Sequence, residues 1–93
     1  MKKAITEFKL GAVTWSVKVD NLSLADKNAL GECNYSESKI LLDDRNQEIM
    51  DETLWHEVVH AILRSLGEIE LSEDERFVQS VSVLLNQYHK TRK

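Results

Sequence analysis

The sequence has few of the residues that stabilise small secreted domains or interrupt secondary structure. Its 93 residues include one cysteine, three glycines and no proline. Because Cys33 has no second cysteine to pair with, the sequence excludes a disulfide framework and a Cys-x-x-Cys metal site. No segment is repeated or of low complexity, so we expect a single domain over residues 1–93.

The chain also lacks a long apolar run and an excess of positive charge. No stretch approaches the roughly 18 apolar residues that a membrane-spanning helix needs, and residues 1–7 become charged too early for a signal peptide. The formal net charge of −4 argues against a nucleic-acid partner, because phosphate binders normally carry a basic patch. We therefore expect a cytoplasmic protein that acts on neither membrane nor nucleic acid.

Two β-hairpins are predicted in the first half of the chain. Residues 5–10 and 13–19 each alternate apolar and polar side chains, as half-buried strands do. Residues 31–35 and 39–43 are predicted to pair in the same way. Residues 20–27 are expected to form a loop or a short helical turn.

Two helices are predicted in the second half. The first runs from about residue 47 to 66, with N-caps offered by residues 43–46 and Gly67 as its C-cap. Ser72 and Glu75 fit the capping box S-x-x-E, which predicts a second helix from residue 72 to about 88. The fold class is therefore α+β, with a small antiparallel sheet of N-terminal hairpins packed on a buried first helix and a C-terminal helix. The predicted core stripe of the second helix comprises Phe77, Val78, Val81, Leu84, Leu85 and Tyr88.

The first helix carries the motif H-E-x-x-H at residues 56–60. Residues four apart lie on one helix face, so His56 and His60 can point two imidazoles at one metal ion. Glu57 can then reach a metal-bound water as the general base of metal-assisted hydrolysis. The alternative is a buried helix whose histidines only make hydrogen bonds, although such groups are costly to bury without partners.

A catalytic zinc site needs a third protein ligand. The long metzincin motif is excluded because Leu63 and Leu66 occupy the positions of its glycine and its third histidine. His89 lies 14 residues beyond Glu75, about 21 Å along one straight helix, so the two cannot bind the same ion. We expect His89 to be a surface residue.

The acidic cluster of residues 73–75 is the remaining source of a ligand. An antiparallel return of the chain would bring it beside the histidines. Helical angle places Asp74 on the apolar stripe and Glu75 on its flank, where a glutamate can also act only as a cap. These alternatives stay open on spacing alone.

Residues 53–63, followed by Glu75-Arg76-Phe77-Val78, resemble the small phage and prophage zinc-metallopeptidase-like proteins. These are minimal gluzincins, related in pattern to the ImmA/IrrE-type peptidases. Residues 11–17, 30–35 and 40–43 resemble the N-terminal hairpins of the same family. The resemblance implies a zincin-like fold in a phage- or prophage-encoded protein of the bacterial cytoplasm. It implies Glu75 as the third ligand, because the family glutamate stands three residues before a small or apolar residue; Asp74 is the second choice. Ser82 and Asn86 depart from the family pattern.

The expected function is that of a zinc-dependent peptidase. His56, His60 and Glu75 would hold Zn²⁺, and Glu57 would act as the base. A peptide or protein substrate would pair along strand 39–43, as extended substrates do in related zincins. The alternative is a non-catalytic protein-interaction module that keeps the zinc site for stability.

Overall fold

A computed structural model describes residues 5–21, 24 and 28–93 of the chain. It confirms the α+β class, with two hairpins followed by helices. The expected loop or helical turn of residues 20–27 lies largely outside the described residues. The elements of the described part are β1 (Glu7–Leu10), β2 (Val13–Val19), β3 (Gly31–Asn34), β4 (Lys39–Leu42), α1 (Gln47–Ser65), α2 (Ile69–Glu73) and α3 (Glu75–Thr91).

Both predicted hairpins are confirmed. Strands β1 and β2 pair antiparallel on either side of a tight turn. Gly11 adopts a φ of +62° in that turn, a left-handed conformation that glycine enters without steric cost. Strands β3 and β4 also pair antiparallel. Asn34 organises their turn, because its Oδ1 accepts hydrogen bonds from the Glu37 backbone N–H and the Ser36 hydroxyl.

The two hairpins join through a parallel pair, so the sheet is mixed rather than wholly antiparallel. The strand order is β1-β2-β4-β3, with Val17 of β2 opposite Ile40 of β4. This arrangement puts the two strands with the most buried apolar side chains at the centre of the sheet. It also corrects the expectation for strand 39–43. Because β4 pairs with a strand on each side, it has no free edge to offer a substrate.

The main core lies between this sheet and α1. It contains Trp15 and Val17 from β2, Ile40 and Leu42 from β4, and Ala61 from α1. Burying each of the larger side chains contributes about 1.5–3 kcal/mol. This packing fixes α1 against the sheet over the length that carries the H-E-x-x-H motif.

Helix α1 begins and ends where its capping residues predict. Asn46 is the N-cap, and its Oδ1 accepts a hydrogen bond of 3.1 Å from the Ile49 N–H. At the other end Gly67 has a φ of +77°, and the Glu68 N–H donates to the Leu63 carbonyl. This is the Schellman arrangement, which stops the helix and turns the chain back.

The segment after α1 differs from the prediction. Residues 69–73 form the short helix α2, so Ser72 lies inside a helix and is not the N-cap of the last one. Asp74 caps α3 instead, through a hydrogen bond from the Phe77 N–H to its Oδ1.

No helix in the described part of the chain is long and apolar enough to cross a bilayer.

Helix α3 is rotated relative to its predicted core stripe. Val78, Ser82 and Asn86 are its buried residues, and Val78 packs against Val59 and Leu63 of α1. Three members of the predicted stripe, Phe77, Leu84 and Tyr88, are instead exposed.

Candidate metal centre

The two histidines of the motif lie on one face of α1, as their spacing predicts. Their ring centroids are 4.9 Å apart. His60 is buried and His56 is partly buried. Both rings turn their Nε2 atoms toward α3, where a third side chain meets them.

Glu75 is that third side chain. Its Oε2 lies 3.0 Å from Nε2 of His56, and its Oε1 lies 3.1 Å from Nε2 of His60. The three residues offer donor atoms that all lie within 4.8 Å of one another. These side chains could therefore hold a metal ion. The Glu75 side chain remains 68% exposed, so the cluster opens to solvent on this side.

Asp74, the second choice for the third ligand, has a different role. Its side chain accepts the N–H of Phe77 in the first turn of α3. The carboxylate is thereby held at the helix end, and Asp74 is not part of the metal-binding group. The capping box predicted that Glu75 could act only as a cap. In the structure Asp74 is the cap, and Glu75 faces the histidines.

Each histidine has a neutral partner on its second ring nitrogen. Nδ1 of His56 lies 2.7 Å from Oε1 of Gln79, and Nδ1 of His60 lies 3.2 Å from Oγ of Ser72. Both partners can accept a hydrogen bond from an Nδ1–H group, and in that tautomer Nε2 carries no proton and can bind a metal ion. The sequence analysis missed both residues. The S-x-x-E spacing indicated only a cap for Ser72, and no local pattern singled out Gln79, because both contacts depend on how the helices pack.

The donor set fits a divalent metal. First-row ions bind imidazole nitrogen and carboxylate oxygen at about 2.0–2.2 Å, which separates neighbouring ligand atoms by roughly 3–3.5 Å. The nitrogen–oxygen distances of 3.0 and 3.1 Å are close to that spacing. The chain thus offers three side chains that could hold a metal ion, the number that catalytic sites with an open position use.

Glu57 is buried beside this cluster, with a relative exposure of 8%. Burial raises its pKa from 4.5 to about 7; His56 opposes this shift, and the carboxylates of Glu75 and Glu32 add to it. Burial also lowers the pKa of His60, which favours the neutral ring that a metal requires. The site therefore places an imidazole with a lowered pKa beside a carboxyl group with a raised pKa.

A cleft of about 440 Å³ opens next to Glu57 and His56. Gly31, at the start of β3, forms part of its wall and lets α1 approach the strand closely. A Cβ atom at this position would lie 2.5 Å from Cγ2 of Thr53 and 3.2 Å from Oε2 of Glu57. Sequence reasoning treated Gly31 only as the start of a strand. The residues that line the cleft are Leu30, Gly31, Ile49, Glu52, Thr53, His56, Glu57 and Gln79.

The remaining histidine and the cysteine do not belong to the metal-binding group. His89 is exposed on α3, as expected, and its ring centroid lies 5.8 Å from that of Trp55. Burial raises the pKa of the half-buried Cys33 thiol to about 12. At neutral pH this cysteine is therefore a thiol, not a nucleophilic thiolate.

Comparisons with known proteins assign this chain to no family. The chain matches no protein-family profile, no curated protein and no solved structure. The resemblance to small phage metallopeptidase-like proteins, and the cellular location it implies, therefore stay predictions.

Proposed function

We propose that this protein is a zinc-dependent peptidase. The observation that carries the proposal is the position of the Glu75 carboxylate between the Nε2 atoms of His56 and His60, 3.0 and 3.1 Å from them. Two imidazoles and one carboxylate form the ligand set of the His₂Glu class of catalytic zinc sites. The H-E-x-x-H motif adds the neighbouring glutamate that this chemistry uses.

The proposed roles follow from the placement of each side chain. His56, His60 and Glu75 hold the metal. Zinc bound there would polarise a substrate carbonyl and lower the pKa of a bound water toward about 7. Glu57 accepts a proton from the attacking water and delivers it to the leaving amine. Burial raises the pKa of this carboxyl group to about 7 in the metal-free chain, and the positive charge of a bound zinc would lower it toward the ionised, basic form.

The cleft beside Glu57 is the proposed substrate site. Among the described residues, strand β3 lies at one end of the sheet order and pairs with β4 on one side. Gly31, its first residue, lines the cleft together with Glu57. A peptide in extended form could add to the outer side of β3 by β-augmentation. This proposal replaces strand 39–43 with β3 as the strand that a substrate would follow.

A comparison of two glutamine variants tests the activity. Glu57→Gln should keep zinc but lose peptide turnover by about 10²–10⁴-fold, because it removes the general base. Glu48→Gln is the matched control, since Glu48 is exposed in the first turn of α1 and lines neither the cleft nor the candidate metal site. It should keep turnover within a few-fold of wild type. The assay is cleavage of a mixed peptide library by zinc-loaded protein, read by mass spectrometry.

The outer face of α3 favours a second candidate function. Phe77, Leu84 and Tyr88 are exposed there, and apolar side chains grouped on one surface are typical of protein interaction sites. A non-catalytic, zinc-stabilised interaction module would use this face. In that case zinc-loaded wild type would cleave no peptide of the library, and Glu57→Gln would leave partner binding unchanged.

A further inference from the structure

We propose that Ser72 and Gln79 are positioning residues that hold the two histidines for metal binding, each through the ring nitrogen that faces away from Glu75. The inference rests on the proposed metal site. It extends that site from three ligands to a five-residue unit, in which one short segment of chain supplies the third ligand and both supports.

Gln79 supports His56. Its Oε1 lies 2.7 Å from Nδ1 of His56, closer than the Glu75 carboxylate lies to either Nε2 atom. An amide oxygen only accepts hydrogen bonds, so it selects the tautomer with a proton on Nδ1. In that tautomer Nε2 carries no proton, so it can bind a metal ion that lies between it and Glu75. Gln79 follows Glu75 by four residues, which places the ligand and the support on the same face of α3.

Ser72 supports His60 from the other side of the cluster. It is 3% exposed, and its Oγ lies 3.2 Å from Nδ1 of His60. A serine hydroxyl can accept from an Nδ1–H group while it exchanges a second hydrogen bond. Here the second partner is the Tyr35 hydroxyl, 3.4 Å away. Tyr35 is itself held by the guanidinium of Arg64, which lies 4.3 Å from the ring centroid.

The three residues spaced as S-x-x-E-x-x-x-Q therefore all contact the two histidines. Ser72 and Glu75 look like a capping box, but the cap is Asp74. With Asp74 ending α2 and starting α3, Ser72 is directed to one histidine and Gln79 to the other. Side chains that orient metal-bound histidines typically change metal affinity by 10–100-fold when they are removed.

The test is zinc affinity, measured by competition with a chromogenic chelator on the full chain. Ser72→Ala and Gln79→Leu should each weaken zinc binding by about 10–100-fold. Gln79→Glu keeps an acceptor oxygen and should restore most of the affinity. Ser80→Ala is the matched control, because Ser80 is exposed on α3 and its hydroxyl donates to the Arg76 carbonyl, away from the histidines. It should stay within about twofold of wild type.

The visible spectrum of cobalt-substituted protein gives a second readout. Ser72→Ala and Gln79→Leu should both change the ligand-field bands, whereas Ser80→Ala should not. Circular dichroism with chelator present checks that each variant folds, and exposed Gln79 provides a test even if Ser72→Ala does not fold. Wild-type affinity and spectrum in Gln79→Leu, with zinc lost in Glu75→Ala, would overturn this inference and leave the metal site intact. Failure of wild type to bind zinc would overturn both.

Discussion

Oε2 of Glu75 lies 3.0 Å from Nε2 of His56, although the two residues are 19 positions apart in the chain. The contact depends on the rotation of α3 about its axis. Residues 75, 79, 82 and 86 follow helical spacing, and this mainly polar stripe faces α1 and the metal site. The more apolar stripe of Phe77, Leu84 and Tyr88 faces outward. Val78, Val81 and Leu85 also pack toward Val59 and Leu63 of α1, so the α1–α3 contact combines apolar packing with the polar side chains of the candidate site.

The rotation of α3 predicts unequal effects of two alanine substitutions. Val78→Ala removes methyl groups from a fully buried position and should lower the free energy of unfolding by about 2 kcal/mol. Leu84→Ala removes more apolar volume but from a side chain that is 65% exposed, so it should cost no more than about 0.5 kcal/mol. Urea titrations would compare them. A larger loss in Leu84→Ala would contradict the observed rotation.

Asp74 should contribute to stability and not to metal binding. Asp74→Ala removes the hydrogen bond to the Phe77 N–H and should cost about 1 kcal/mol of unfolding free energy. Asp74→Asn keeps a capping oxygen and should cost much less. Both variants should bind zinc like wild type. Loss of zinc in Asp74→Asn, with stability retained, would transfer the ligand role to Asp74.

Gly31 should be intolerant of a side chain because α1 approaches it closely. Gly31→Ala would place a Cβ 2.5 Å from Cγ2 of Thr53, and crowding of this kind costs about 1–3 kcal/mol. Thr53→Ser removes the crowded methyl group. The double variant should therefore recover part of the stability lost in Gly31→Ala, a coupling that a double-mutant cycle measures. Strictly additive losses would show that the contact is absent.

Glu57 should make the metal-free protein less stable as the pH rises. Its pKa is raised from 4.5 to about 7 by burial, so the folded state favours the protonated carboxyl. The stabilisation is complete below pH 4.5 and is lost as the pH rises through about 7. A shift of this size corresponds to about 3 kcal/mol. The difference in unfolding free energy between wild type and Glu57→Gln, with chelator present, should therefore fall between pH 4.5 and 7.5.

The comparison with Glu57→Gln isolates this carboxyl. His60 has a lowered pKa, so its contribution to stability rises with pH. Both proteins contain His60, and this contribution therefore cancels in the difference. A difference that stays constant with pH would show that Glu57 is solvated, not buried.

Local signals account for the parts of the structure that the sequence predicted. Alternating apolar residues define the hairpins, and Asn46 and Gly67 mark the ends of α1. The H-E-x-x-H spacing places His56 and His60 within a single helix. Each of these predictions depends on residues close together in the chain.

The features that escaped prediction depend on distant contacts. The parallel pairing of Val17 with Ile40 joins two separate hairpins. The burial of Ser82 and Asn86 reflects how α3 packs on α1, which overrides its apolar pattern. Spacing alone could not choose between Asp74 and Glu75, because the choice depends on which of them caps α3. The supports from Ser72 and Gln79 likewise appear only when the helices are packed together.

The metal content of the protein tests the central claim most directly. Elemental mass spectrometry on protein purified without an affinity tag would compare wild type with His60→Ala, Glu75→Ala and Asp74→Ala. We expect about one zinc per chain in wild type and Asp74→Ala, and almost none in the other two. Wild type that contains no metal and takes up none when zinc is added would contradict the account, as would full zinc retention in Glu75→Ala.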